Sequence, residues 1–218
     1  LFAGLDAAAR CAIMATAQQR RIAGGDAVFR QGDDAAAFFV LIEGHLKAVQ
    51  IDSTGRQILI HFVYANDFFG CVALMDRERY PATLLAVKDS VVLGWSRAET
   101  GNLLRRHPAV AANALSGFGG RLLEFQARIR DSQTHKAYRR IAQALLHLAC
   151  HKGLRTECGI AIDFPVTRQD VAEMAGTTLH TASRILTGWE KQGILACGRQ
   201  RIAVTDFKRL TALAEHAD

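Results

Sequence analysis

Cysteine is sparse in this chain, and what there is does not cluster. The five cysteines (Cys11, Cys71, Cys150, Cys158 and Cys197) are scattered through 218 residues and odd in number, with no CxxC pair. That usage fits reduced thiols better than a disulfide framework, so the expected location is cytoplasmic. Long hydrophobic runs are missing too. No stretch approaches the roughly 18 apolar residues that a spanning helix needs, so no membrane segment is expected. No signal peptide is read, and because the chain begins at Leu1 without a methionine, targeting is not taken from that end. Catalytic signatures are equally scarce. "SGFGG" at 116–120 is the one glycine-rich loop candidate, and it falls inside a helical stretch rather than after a strand. No nucleophile–base constellation and no metal-spaced cluster appears, so the chain does not read as an enzyme.

What is present is bulk hydrophobicity and an uneven basic charge. Half of the residues are hydrophobic, enough for a sizeable core in one large or two small domains. The net charge is +6. Residues 133–218 hold 12 Lys/Arg against 8 Asp/Glu, and residues 1–132 hold 15 against 13, so the shorter C-terminal part carries two thirds of the excess. A basic C-terminal domain suggests a polyanion partner, with a solvated basic surface as the plainer alternative.

Residues 21–97 read as short strands and turns. "AVFRQGDDAAAFFVLIEGHLKAVQID" carries apolar runs broken at Gly32 and Gly44, Gly55 sits in a turn, and two strands are expected around Lys88-Asp89-Ser90. Many short strands with regular glycine punctuation argue for a sandwich or barrel. The period then changes. From Pro108 to about Asp131 the apolar residues Leu115, Phe118, Leu122, Phe125 and Ile129 recur at a/d spacing, the seam of a coiled coil. Such a stripe must pack, either on its own β domain or, the favoured reading, on a second copy of the helix. Gly117, Gly119 and Gly120 imply close backbone approach or a kink. Beyond a polar stretch, "AYRRIAQALLHLACHK" is an amphipathic helix with Ile141, Ala144, Leu145 and Leu148 on one face. "GIAIDF" reads as a strand, "ILACGRQRIAVTD" as a hairpin turning at Gly198-Arg199, and a last helix starts near Asp206.

"TRQDVAEMAGTTLHTASRILTGWEKQG" reads as two helices meeting at Gly176. Ala172 lets the helices approach, Gly176 supplies the turn, and Val171, Ala175, Ala182 and Ile185 make a small core. Thr167 can cap the first helix and Thr177 or Thr178 the second. In a helix-turn-helix the second helix enters the DNA major groove by its N-terminal end. That makes Leu179, His180, Ser183 and Arg184 the base readers, with Arg184 suited to a bidentate contact with guanine. Thr178, Thr181 and Arg168, together with Arg199 and Arg201 of a wing beside the helix, are placed for phosphates.

These residues resemble a CRP/FNR-family transcription regulator along nearly the whole chain. "VFRQGDDAAAFFVLIEGHLKAV" resembles the family's roll signature, "FFGCVALMDRERYPATLLAV" its effector-pocket segment, and "TRQDVAEMAGTTLHTASRILTGWEKQGI" its DNA-reading unit. The resemblance implies an α+β architecture in three parts. Residues 1–107 would form a cyclic-nucleotide-binding-like β-roll (a double-stranded jelly roll), 108–132 a dimerisation helix and 133–218 a winged helix-turn-helix. It implies a homodimer on a two-fold symmetric duplex, with RNA polymerase as a further partner. It also implies a two-state switch in which an effector in the roll reorients the reading helices.

The departures from the family narrow the effector. Cyclic-nucleotide binders carry Gly-Glu after the aromatic and a later Arg-Ser/Thr-Ala. Here Gly70 is followed by Cys71, and the later stretch is Tyr80-Pro81-Ala82-Thr83, with Arg77 and Arg79 nearby but out of register. An unpaired phosphate charge would be buried, which argues against cyclic AMP. Gly70, Cys71, Arg77, Arg79, Tyr80, Ala82 and Thr83 stay the candidate pocket for another small effector. The iron–sulfur branch needs closely spaced thiolates, and only Cys11 lies in the N-terminal region, so no cluster is expected. The reading helix, His180-Thr181-Ala182-Ser183-Arg184, with "GWEKQGI" and "GRQRIAVTD" after it, resembles the NnrR-type, nitric-oxide-responsive branch. That branch implies a half-site beginning TTG with Arg184 on the guanine, and haem as candidate receptor. The candidate iron ligands are His45, His61 and Cys71, the plainer readings being a hydrogen-bonded strand residue for His61 and a small buried hydrophobe for Cys71. The alternatives are a regulator answering to cyclic AMP or another small molecule, and a ligand-binding scaffold module that touches no DNA.

Overall fold

The computed structural model describes residues 1–53, 55, 57–74, 79–134, 136–156 and 159–215, the side chains of 74, 124, 127–134 and 151–152 excepted. The chain forms two compact units, Leu1–Leu123 and Glu124–Asp218. In the first, helix α1 (Ala7–Ala15) is capped by the Asp6 carboxylate on the Ala9 amide at 2.7 Å. Strands β1 (Gln18–Ile22), β2 (Ala27–Phe29), β3 (Ala37–Ile51), β4 (Gln57–Val63), β5 (Phe68–Phe69) and β6 (Thr83–Ser96) follow. They join in the order β1-β6-β3-β4, with β2 on β6 and β5 on β3, all antiparallel.

Two expected breaks do not interrupt their strands. β3 runs straight through Gly44, and β6 straight through Lys88-Asp89-Ser90, where two strands were expected. Register shifts at Leu41/Glu43, Glu43/His45 and His45/Leu46 absorb the curvature, as β-bulges do. Gly44 has φ +98° and a Cβ there would overlap Ser90, so only glycine lets the two long strands stay paired.

The roll buries one cluster inside, including Phe29, Phe39, Leu41, Leu46, Phe69, Tyr80, Leu84 and Val92. A second cluster contains Ile13, Phe38, Phe68, Cys71, Trp95, Leu103, Val110 and Ala114 and so joins the sheet to its helices. Trp95 is fully buried, and its indole N–H donates to the Ile13 carbonyl at 3.0 Å. Helix α2 (Arg97–Arg106) starts with a capping box between Ser96 and Glu99, whose local signature is "SRAE"; neither α1 nor α2 is among the expected elements. Helix α3 (Pro108–Thr134) runs slightly past the expected end at Asp131.

The second unit holds α4 (Ala137–Lys152), β7 (Gly153–Thr156), β8 (Gly159–Ile162), α5 (Arg168–Met174), α6 (Leu179–Lys191), β9 (Leu195–Gly198), β10 (Arg201–Val204) and α7 (Phe207–Glu215). The strands form one antiparallel sheet, β7-β8-β10-β9, of which β7 was not foreseen. Ile141, Leu145 and Leu148 of α4, the expected face, are fully buried with Leu186 and Leu210. Each such side chain stabilises the unit by about 1.5–3 kcal/mol. Among the described residues, no helix is long and apolar enough to cross a membrane.

Candidate nucleic-acid interface

Helices α5 and α6 meet at the expected turn. Thr167 caps α5 in a capping box, its hydroxyl accepting from the Asp170 amide at 3.0 Å while the Asp170 carboxylate accepts from the Thr167 amide at 2.9 Å. Gly176 turns the chain at φ +58°, and Thr178, rather than Thr177, caps α6 by accepting from the Thr181 amide at 3.2 Å. Val171, Ala172, Ala175 and Ala182 form the small core. Ile185 is only half-buried, and Leu186 takes the fully buried place. Leu179, His180 and Arg184 stand exposed on the first turns of α6, with Thr181 and Ser183 half-buried between them and Thr178 exposed at the cap. The β9–β10 hairpin displays Arg199 and Arg201, both exposed, and Gln200 turns it at φ +58°.

Arg168 lies at the start of α5 but reaches across to α6. Its Nη1 donates to Thr187 Oγ1 at 2.9 Å and to the Ser183 carbonyl at 3.3 Å, and its Nη2 lies 3.7 Å from Glu190 Oε2. Glu190 Oε1 in turn accepts from the Cys197 amide of β9 at 3.3 Å. Sequence reasoning missed Thr187 and Glu190, because no local period pairs residues that far apart along the chain. Other arginines close helix ends. Arg140 of α4 donates through Nε to the Ala175 carbonyl at 2.7 Å and through Nη2 to that of Gly176 at 3.1 Å. Arg139 donates to Ala214 at 2.8 Å and Arg209 to Gln192 at 3.1 Å. Such cations favour helix C-termini. Part of the basic excess is therefore spent inside the unit.

In the expected effector segment of the roll, Cys71, Tyr80 and Thr83 are buried. Tyr80 is 4 % exposed and stacks on Phe29 with centroids 3.7 Å apart. Its hydroxyl donates to the Ala37 carbonyl at 2.6 Å and accepts from the Ala37 amide at 3.1 Å. Burial raises the phenol pKa, and the Ala37 amide offsets part of that rise. Thr83 is buried, its hydroxyl accepting from the Gln31 amide at 2.9 Å. Gly70 takes φ +75°, and a Cβ there would meet the Ala37 carbonyl at 3.0 Å. Ala82 is half-buried, and exposed Arg79 donates to the Gly32 carbonyl at 2.8 Å. Arg77 lies outside the described residues. A cavity of about 460 Å³ opens elsewhere on the roll, lined by Gly24, Glu43, Gly44, Lys88 and Asp89.

The haem candidates do not make a fit. Burial pushes the Cys71 thiol up to about 12, with only partial relief from the Arg121 charge, so it is no thiolate near neutrality. His45 is buried, its ring edge-on to Tyr64 at 5.8 Å, and His61 is half-buried on β4. Among the described residues, no group of three or more His, Cys, Asp or Glu is placed to hold a metal ion.

The α3 stripe splits. Leu115, Leu122 and Phe125 are exposed, and Leu123 joins them. Phe118 turns to the roll instead, edge-on to Phe68 at 5.4 Å, because Phe68 lies over Gly117, where a Cβ would meet its ring at 2.7 Å. Close approach, then, explains Gly117. Arg121 completes this contact, its guanidinium 4.7 Å from the Phe68 centroid and donating to the Phe68 carbonyl at 2.8 Å. The side chain of Ile129 lies outside the described residues.

Two family models match the chain. Residues 19–107 match the cyclic nucleotide-binding domain family, and residues 139–213 match the Crp-like helix-turn-helix domain family. The cyclic AMP receptor protein of Thermus thermophilus is 27% identical over 197 residues, covering 90% of this chain and 88% of its own length. The nitrogen fixation regulation protein FixK of Bradyrhizobium diazoefficiens is 27% identical over 197 residues, covering 87% of this chain and 79% of its own. The solved structure of FixK2 from Bradyrhizobium japonicum superposes with a TM-score of 0.78 at 22% identity, covering 93% of this chain and 99% of that one, a likeness of fold. With a cyclic nucleotide-binding domain followed by a Crp-like helix-turn-helix whose capped second helix and basic hairpin are both exposed, the chain belongs to the CRP/FNR family of transcription regulators.

Proposed function

We propose that the protein reads a two-fold symmetric DNA site as a homodimer. Residues 1–107 serve as sensor, 108–132 as the dimer helix and 133–218 as the reader. The carrying observation is the N-terminal end of α6, where Leu179, His180 and Arg184 are exposed beside the Arg199–Arg201 hairpin. Arg184 takes a guanine of the half-site, Ser183 and Leu179 touch neighbouring base edges or a thymine methyl, and Thr178, Thr181, Arg199 and Arg201 hold phosphates. RNA polymerase is the proposed second partner, as in a regulator that acts at promoters.

The signal is proposed to be other than cyclic AMP. Tyr80, standing where cyclic-nucleotide binders carry the phosphate arginine, fills its place with a ring stacked on Phe29 and a hydroxyl bonded to Ala37. A nitric-oxide signal rests on the likeness of the reading helix to the NnrR-type branch.

One experiment covers the reading. A duplex is selected from a random pool, and binding is followed against salt, with and without nitric oxide and cyclic AMP. Binding that weakens steeply with salt and is lost in Arg184→Ala supports the assignment. Unchanged binding by that variant removes α6 as the reader. Equal affinity with and without nitric oxide removes that signal, since an effector must favour one state to switch it.

A further inference from the structure

We propose that Arg168 is a positioning residue for DNA recognition: it locks the rotation of the reading helix and ties the wing to it, rather than neutralising a phosphate. The inference rests on the DNA-reading function proposed above.

Ser183, Thr187 and Glu190 follow one another by four and then three residues, so they share one face of α6. The Arg168 guanidinium lies along that face. It donates to the Ser183 carbonyl and the Thr187 hydroxyl at 3.3 and 2.9 Å, and its other nitrogen approaches Glu190 at 3.7 Å. One rigid fork thus grips successive turns of the helix. A rotation of α6 about its own axis would break these contacts together. The grip begins at Ser183 itself, whose neighbours His180 and Arg184 project toward solvent. Glu190 carries the connection onward, because its second oxygen accepts from the Cys197 amide at 3.3 Å and so anchors β9 of the wing. First helix, reading helix and wing are joined through two side chains, Arg168 and Glu190. A guanidinium committed to a hydroxyl, a carbonyl and a carboxylate has less to give a phosphate than Arg199 or Arg201, which stand exposed.

Arg168→Lys and Thr187→Val separate the two roles. Lysine keeps the charge but loses the planar fork, and valine at 187 removes an acceptor that carries no charge. Affinities are measured by fluorescence anisotropy for a duplex selected by the unsubstituted protein and for its scrambled counterpart, across a salt series. Near-ultraviolet dichroism checks that each variant is folded. Positioning predicts that both variants bind the selected duplex about tenfold more weakly while the scrambled duplex and the salt slope are unaffected. The proposal is overturned if Arg168→Lys binds like the unsubstituted protein while Arg168→Gln weakens both duplexes alike and flattens the salt slope by about one per protomer. A silent Thr187→Val overturns it as well, and guards against an Arg168 variant that fails to fold. Absence of salt-dependent binding by the unsubstituted protein is a separate result, which would sink the DNA reading itself.

Discussion

Cys71 shows how burial decides the chemistry of a single residue. The family resemblance put it in a candidate effector pocket, as one of three candidate iron ligands. The structure seats it in the cluster that joins the sheet to its helices, with Phe38, Phe68 and Trp95. Desolvation lifts its pKa from 9.0 to about 12, against the weaker pull of the Arg121 charge. Below pH 9.0 the thiol is protonated in folded and unfolded chains alike, so it adds no pH dependence. Between 9.0 and about 12 only the unfolded chain ionises, so stability falls as pH rises through that window. We expect the thermal midpoint of the intact protein to drop more steeply above pH 9.0 than that of Cys71→Ala. At about pH 8 a thiol reagent should label exposed Cys11 and Cys150 quickly and Cys71 only on unfolding. Labelling of Cys71 as fast as Cys11 would show that the thiol is not sequestered. Nothing in the sequence marks this burial, because a lone cysteine beside a glycine carries no period.

The elements were legible in the sequence to the extent that their causes are local. Caps, turn glycine and small core residues of the α5–α6 pair sit within one stretch, and the structure uses Thr167, Gly176 and Thr178 for those tasks. The single β6 was less legible, because the register shifts that keep it paired with β3 fall on both strands and are fixed by pairing across the sheet. On α3 the a/d spacing found the helix but set its face by period alone. Phe118 leaves the stripe because Phe68, distant in sequence, offers it a ring, and Leu123 takes the open side. Charge pointed to the right class of partner but not to which arginines face it. The C-terminal excess was read as a polyanion signal, yet Arg139, Arg140 and Arg209 bond the closing carbonyls of α7, α5 and α6. Arg140 is the most consequential, since it holds both Ala175 and Gly176 at the turn that aims the reading helix. Arg140→Met should cost about 1.5–3 kcal/mol in denaturant unfolding, the range for hydrogen bonds that involve a charged group. An unchanged midpoint would mean that water replaces the guanidinium at no cost.

For the molecule as a whole, the open face of α3 is the surface on which the proposed homodimer would form. Leu115, Leu122 and Leu123 leave 73, 59 and 67 % of their surface exposed, on the side of the helix turned away from Phe68. Gly119 lies among them with nothing within 4 Å of where its Cβ would be, so a partner backbone can come close there. A two-fold axis along this face would bury each leucine twice, once from either chain. At about 1.5–3 kcal/mol per buried leucine, that repetition is what can turn a stripe of three residues into a stable contact. Two reading helices on a shared axis would then meet half-sites about one helical turn apart. Leu122→Glu places a charge at the centre of the stripe in both copies, where partner burial would leave it unpaired. Residue 122 is not among those assigned to base or phosphate contacts. Sedimentation equilibrium should show a dimer for the unsubstituted protein and a monomer for this variant. Affinity for the symmetric duplex should fall together with the dimer, while a duplex carrying one half-site should bind both proteins alike. A variant that stays dimeric and keeps its preference for the symmetric site would mean that the chains associate through another surface.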